Sequence, residues 1–232
     1  MNILNSINHI KSINIVNGFT PFTFDICGTN FIGSPNNYPI QLNNNTIGTN
    51  LTYTNFNNIN SITLASIPVT LYIKAKFQNA NHKTNATSGN PFDTVFRTYS
   101  TGGRGIAIQG TVNPNDVYVG IYDNVGGIKQ ITVSNLLVNP TDYFHTFLVV
   151  TNSNTKVFCY RNTGGLHTES SAFSTSINGN NSGGVYFTRN IIQGYGRDGE
   201  GHAFNVIIGL GGWYNRALTT SEMSKVVLQN PN

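Results

Sequence analysis

Apolar and polar residues alternate with period two through most of this chain. Between Ile62 and Phe77, Val69, Leu71, Ile73, Ala75 and Phe77 fall on one face and Thr70, Tyr72, Lys74 and Lys76 on the other, as in a half-buried strand. "DTVFRTYS" and "GIAIQG" flank a glycine turn at Gly102, Gly103 and Gly105, and "DVYVGIYD" and "IKQITVSN" flank another at Gly126 and Gly127. Both pairs predict hairpins. A third hairpin is predicted from Phe144–Val150 and Lys156–Tyr160, joined by a five-residue polar loop. "GGVYFTRN" and "AFNVIIGLGGWYN" supply later strands. Roughly a dozen strands without intervening helices predict a sandwich or jelly roll.

The period changes once, near the end. Thr219 with Glu222 three positions on forms a capping box, Leu218 and Met223 a hydrophobic staple, and Met223, Val226 and Val227 continue one apolar stripe. The signal predicts a helix of two or three turns, stopped before Pro231. A helix this short is marginal alone and is expected to dock on the sandwich.

Composition narrows the picture. Charged residues are 9% of the chain, against roughly a quarter in an average soluble protein. Asparagine fills about one position in six, most densely in the first sixty, so the polar surface is built from Asn, Thr and Ser. The net charge of +4 comes from 13 Lys and Arg scattered singly, which argues against nucleic acid as a partner. No stretch of eighteen apolar residues occurs, and "MNILNSINHIKSINIV" lacks the uninterrupted apolar core of a secretory signal, so a soluble protein without membrane insertion is expected. Cys27 and Cys159 either pair, closing a long loop worth about 5 kcal/mol, or serve as buried hydrophobes. The sequons at Asn44, Asn50, Asn85 and Asn180 carry little weight in a chain so rich in Asn and Thr.

From about Ile62 to Asn230, the order of strands ending in "NVIIGLGGWYNRALTTSEMSKVV" resembles the concanavalin A-like, laminin-G-type jelly-roll family. There, a closing strand runs into a "YNRALT"-style turn and a short capped helix. The resemblance implies an all-β, two-sheet antiparallel jelly-roll sandwich of six or seven strands per sheet. The helix is expected to cap one edge or end, with Trp213 packed in the core beneath it. Residues 1–60 form an Asn-rich N-terminal segment, supplying edge strands or an arm, ahead of a jelly-roll domain over 61–232. The apolar residues Ile7, Ile10, Ile13, Ile15 and Val16 are expected to pack against another copy, because few charges blunt the sheet edges.

The family includes lectins, adhesion modules and glycoside hydrolases, so the chemistry must come from the residues. Retaining glycosidases hold two carboxylates about 5 Å apart, in related glucanases through an E-x-D-x-E strand. Only nine acidic residues are present, none so arranged, and an enzyme is not expected. The candidate ligand-binding residues are Tyr195, Arg197, Asp198, Glu200 and His202 in "GYGRDGEGH". They combine an aromatic face, a bidentate donor, two acceptors and an imidazole, the mixture that recognises polar sugars. A solvated hairpin tip accounts for the same charges. Asp198 and Glu200 offer at best a weak calcium site, and the family's acidic pair in the closing strand is replaced by Gly209 and Leu210, so no cofactor is expected. Tyr99 and Arg104 are groove candidates that a turn explains equally well, and the five histidines are dispersed.

These features predict a non-enzymatic structural or attachment protein on the virion surface, partnered by other copies or capsid-type subunits and able to bind cell-surface glycans. The alternative is a free, extracellular lectin-like domain. Glycoside hydrolysis ranks behind both.

Overall fold

In the computed structural model the described residues are 18–21, 24–27, 31–32, 39–44, 53–56, 68–82, 94–97, 105–122, 128–151, 154–170, 191–193 and 204–230. The strands are β1 (Phe19–Pro21), β2 (Phe24–Cys27), β3 (Phe31–Ile32), β4 (Ile40–Asn44), β5 (Tyr53–Phe56), β6 (Val69–Phe77), β7 (Thr94–Arg97) and β8 (Gly105–Gly110). They continue as β9 (Val117–Tyr122), β10 (Ile128–Val133), β11 (Phe144–Val150), β12 (Thr155–Arg161), β13 (Leu166–Glu169), β14 (Ile191–Gln193) and β15 (Phe204–Tyr214). One helix, α1 (Thr220–Gln229), follows.

All described pairings are antiparallel, as the short turns between alternating runs require. An eight-stranded sheet runs in the order β13-β12-β11-β6-β15-β4-β3, with β1 also on β15. A second sheet is β10-β9-β8-β7 and a third, smaller one is β14-β5-β2. Of the described strands before residue 60, β1 and β4 pair with β15 and β5 with β14, far later in the chain, while β2 pairs with β5 and β3 with β4. Residues 1–17, which carry the apolar positions Ile7 to Val16, lie outside the described residues.

The predicted hairpins form. The β11–β12 loop is one residue shorter than the sequence suggests, because Thr155 pairs opposite Val150 and Thr151 closes the turn on Asn154. Inward-facing residues of β6, β11, β12 and β15 meet those of β8, β9 and β10 in one buried core, including Leu71, Ile73, Phe77, Ile106, Ile108, Val119, Phe144, Leu148 and Trp213. Cys159 belongs to this core as a free thiol, while the side chain of Cys27 is not described.

Three features differ from expectation. β6 is buried on both faces, since it sits mid-sheet and its outer face is covered as well. The helix lies on that outer face, packing Met223, Val226 and Val227 against a cluster that includes Tyr72, Phe147, Phe158, Tyr160 and Tyr214. The sheet is wide enough to expose an apolar outer face, and a helix stripe covers that better than it covers an edge. Trp213 points away from the helix into the inter-sheet core, and its neighbour Tyr214 takes the place beneath α1. An irregularity at Gly209, between Ile208 and Leu210, shifts the β15 register and reverses the faces beyond it. Gly212 lies where β1 pairs with β15, and a Cβ there would run into the Thr20 carbonyl and the Phe19 ring.

The helix start follows the predicted box. Thr219 Oγ1 accepts the Glu222 amide at 3.3 Å, and Glu222 Oε2 accepts the Thr219 amide at 2.9 Å. Arg216 reaches the same carboxylate at 2.7 Å and, with the Thr219 bonds, holds Glu222 down at about 2. Thr70, in mid-sheet, accepts the Leu218 amide and donates to the Arg216 carbonyl, fixing the approach to the helix. Thr219→Ala is expected to cost about 1 kcal/mol. Denaturant unfolding and faster amide exchange over 220–228 measure it; unchanged values would contradict the cap's role.

Candidate functional site

Tyr195, Arg197, Asp198, Glu200 and His202 fall in the stretch 194–203, outside the described residues. Its two anchors are described. β14 belongs to the small third sheet and β15 is an interior strand of the large one, so the stretch bridges two sheets. Tyr99 and Arg104, in the β7–β8 connection, are also outside the described residues, as are Asn50, Asn85 and Asn180.

Beside α1, the outer face of β6 and β11 gathers polar groups. The ring of His145 is buried, with Nδ1 2.9 Å from the Tyr72 hydroxyl and Nε2 3.3 Å from Asn162 Oδ1. This fits the Nε2–H tautomer, with Tyr72 donating to Nδ1. Burial holds the imidazolium form off to about 3; the Asn162 bond opposes this and the Lys74 charge adds to it. Lys74 and Lys76, two residues apart and so on one face, set their ammonium groups 4.4 and 4.7 Å from the Tyr143 ring centroid. Lys74 is buried, and burial first, then the Lys76 charge, pulls it to about 8. A neutral imidazole with both nitrogens engaged is a structural strut, not a poised base.

Among the described side chains, the cysteine and the acids are similarly committed. Burial pushes the Cys159 thiol up to about 12, which leaves it inert. The carboxylates with described side chains all hold local structure: Asp116 accepts the Asn135 amide, Asp142 the Asn139 amide, Glu169 pairs with Lys156 and Glu222 closes the helix cap. Among the described residues, no three His, Cys, Asp or Glu side chains gather to hold a metal, and no helix is long and apolar enough to cross a membrane.

One surface feature passed unnoticed in the alternation pattern. The loops before β9 and β11 share a V-N-P-x-D turn, at Val112–Asp116 and Val138–Asp142. In each, the aspartate amide donates to the asparagine carbonyl, at 3.1 and 2.9 Å. The two loops are tied together by Asn115, whose Nδ2 donates to the carbonyls of Leu137 and Val138 at 2.8 and 3.1 Å. Val112 and Val138 are 74% and 65% exposed, giving this rim two apolar tips. The repeated pentapeptide was the available signal.

No protein-family model and no curated protein matches the chain. Solved structures do resemble it. One is botulinum neurotoxin type C, whose passage into cells depends upon interaction with two ganglioside molecules: TM-score 0.59 at 11% identity, covering 96% of this chain and 53% of that one. The binding domain of botulinum neurotoxin DC, in complex with rat synaptotagmin II, gives a TM-score of 0.57 at 12% identity, over 88% and 46%. A Trypanosoma rangeli sialidase mutant displaying trans-sialidase activity gives 0.56 at 13%, over 90% and 30%. The chain therefore spans about half the length of the toxin structures and less of the sialidase. At such identities the likeness is one of fold, and it makes this chain a β-sandwich with one short C-terminal helix.

Proposed function

We propose that this chain is a non-enzymatic, glycan-binding β-sandwich that acts as an attachment component on the surface of a virus particle. The observation that supports it most is the fold match over 96% of the chain to a toxin that needs gangliosides to pass into cells. The described carboxylates are engaged in caps, turns and ion pairs, which favours binding over hydrolysis. In this reading the sandwich is a concanavalin A-like, laminin-G-type jelly roll, and Tyr195, Arg197, Asp198, Glu200 and His202 form the sugar contacts without a metal. Tyr195 supplies a stacking face and Arg197 a bidentate donor. Other copies or capsid-type subunits hold the domain on the particle, and the uncharged Asn, Thr and Ser surface suits such a lattice.

A glycan array probed with the full chain, with and without EDTA, tests the binding. Retention of a defined subset of glycans in both buffers is expected; an array at background would overturn the reading. The chain is also expected to leave those glycans intact. Release of reducing sugar that Asp198→Asn or Glu200→Gln abolishes would replace binding by hydrolysis. A protein inventory of purified particles separates the virion location from a free extracellular lectin.

A further inference from the structure

His82 follows the end of β6 in a turn closed by its own amide donating to the Asn79 carbonyl at 3.2 Å. Its backbone takes φ +49°, a left-handed conformation that costs a non-glycine residue energy and persists only where surroundings hold it. The side chain is fully buried. Its ring stacks on Phe77 at 3.9 Å between centroids, and Phe77 stacks in turn on Phe144 of β11. On the opposite sheet, Gly110 ends β8 against the imidazole: a Cβ at Gly110 would come 2.5 Å from the His82 Cβ. Nε2 lies 2.7 Å from the carbonyl of Pro140, in the second of the twin turns. One ring thus joins β6 of the large sheet, β8 of the second sheet and the loop entering β11.

The hydrogen bonding of that ring is incomplete. Nε2 must donate to the Pro140 carbonyl, so the neutral ring leaves Nδ1 as a bare lone pair, and Nδ1 is a buried polar atom without a hydrogen-bond partner. As an unprotonated nitrogen beside aromatic carbon it is tolerable. As an N–H it is a buried donor with no acceptor on a charged ring, the costliest state for a polar group.

We infer that His82 is an acid-released clasp that holds the two facing sheets together at this end of the sandwich while its ring is neutral. Taking up a proton at Nδ1 favours conformations in which the ring reaches water, and leaving requires the β6 turn and the Pro140 loop to part from Gly110. Among described residues, no carboxylate offsets the cost. Asp142 on the Pro140 loop accepts from Asn139, Asp116 beyond β8 accepts from Asn135, and Lys76 on β6 lies over Tyr143 on the outer face. Burial holds the ring's pKa below its usual value, with the Pro140 bond opposing, so acid strains the closed state rather than being absorbed by a partner.

Amide exchange of the full chain between pH 7 and pH 5, corrected for intrinsic rates, tests the clasp. Amides over 77–82 and 106–110 are expected to open several-fold more at pH 5, up to a ceiling of roughly 25-fold set by the ordinary imidazole pKa near 6.5. Amides over 146–149, beside His145, report general acid destabilisation, to which His145 itself contributes, and are expected to stay better protected than the clasp amides at every pH. His82→Gln, which keeps a donor for Pro140 but cannot ionise, is expected to erase the acid-driven opening of the clasp amides. In the wild type, the NMR titration of the His82 ring must share its midpoint with the local opening, which keeps the test decisive if the variant does not fold. Opening free energies over 77–82 and 106–110 equal to those over 146–149, an acid-driven opening that survives His82→Gln, or a ring titrating at or above 6.5 would overturn the inference.

Discussion

Acidification from pH 6.5 towards pH 3 is expected to remove about 5 kcal/mol of folding stability through His145 alone. The imidazole is buried between β6, β11 and Asn162, and burial lowers its pKa from 6.5 to about 3. The unfolded chain, titrating near 6.5, takes the proton first. Stability is fully present above that value, is lost as pH falls through the window from 6.5 to about 3, and levels off below. Each unit in the window is worth about 1.4 kcal/mol, so about 2 kcal/mol should already be gone at pH 5. His82 acts with the same sign, so the two are separated by substitution. Urea unfolding of the wild type and of His145→Gln at pH 7, 6, 5 and 4 is the measurement. The variant, less stable at pH 7 through imperfect packing, should show a flatter dependence on pH. Equal slopes would mean that His145 is not buried and neutral as described.

The second large effect lies in the inter-sheet core. Trp213 is 4% exposed, pairs in register with Leu71 and packs with the apolar residues of both sheets. Trp213→Ala removes the largest side chain β15 contributes there and should cost about 3–5 kcal/mol, through lost transfer energy and the cavity left behind. In a chain of this size that lowers Tm by about 10 °C. Glycan affinity measured on the folded fraction at low temperature should be unchanged, because the indole faces the core. A variant that melts like the wild type and loses the glycan would make Trp213 a sugar platform instead.

Much of this fold was legible in local signals. The capping box at Thr219 and Glu222 is written in four consecutive positions, and the β11–β12 hairpin in an alternation that its own turn completes. What escaped depends on non-local geometry. Alternation from Phe204 onward places Leu210 inward with Val206 and Ile208; the irregularity at Gly209 sends Leu210 outward and Trp213 inward. Nothing in the local pattern announces that slip, because a glycine is compatible with either face. Tyr72, Lys74 and Lys76 read as a solvent face since what packs on them, α1 on Tyr72 and the Tyr143 ring on the two lysines, comes from residues about 70 to 150 positions later. His145 and His82 looked dispersed because the strand order brings their partners Asn162 and Pro140 to them. The candidate sugar-binding residues were legible only as a composition, Tyr195 through His202 between two strands, and their chemistry awaits a ligand.

Titration of the best array glycan against the wild type, Tyr195→Ala and Arg197→Ala, by calorimetry or ligand-observed NMR, tests attachment through glycans most directly. The account predicts saturable binding by the wild type and at least roughly tenfold weaker binding by each variant, with melting temperatures preserved, as the loss of one stacking or bidentate contact implies. A wild type that binds no glycan, or variants that bind as tightly as it does, would contradict it.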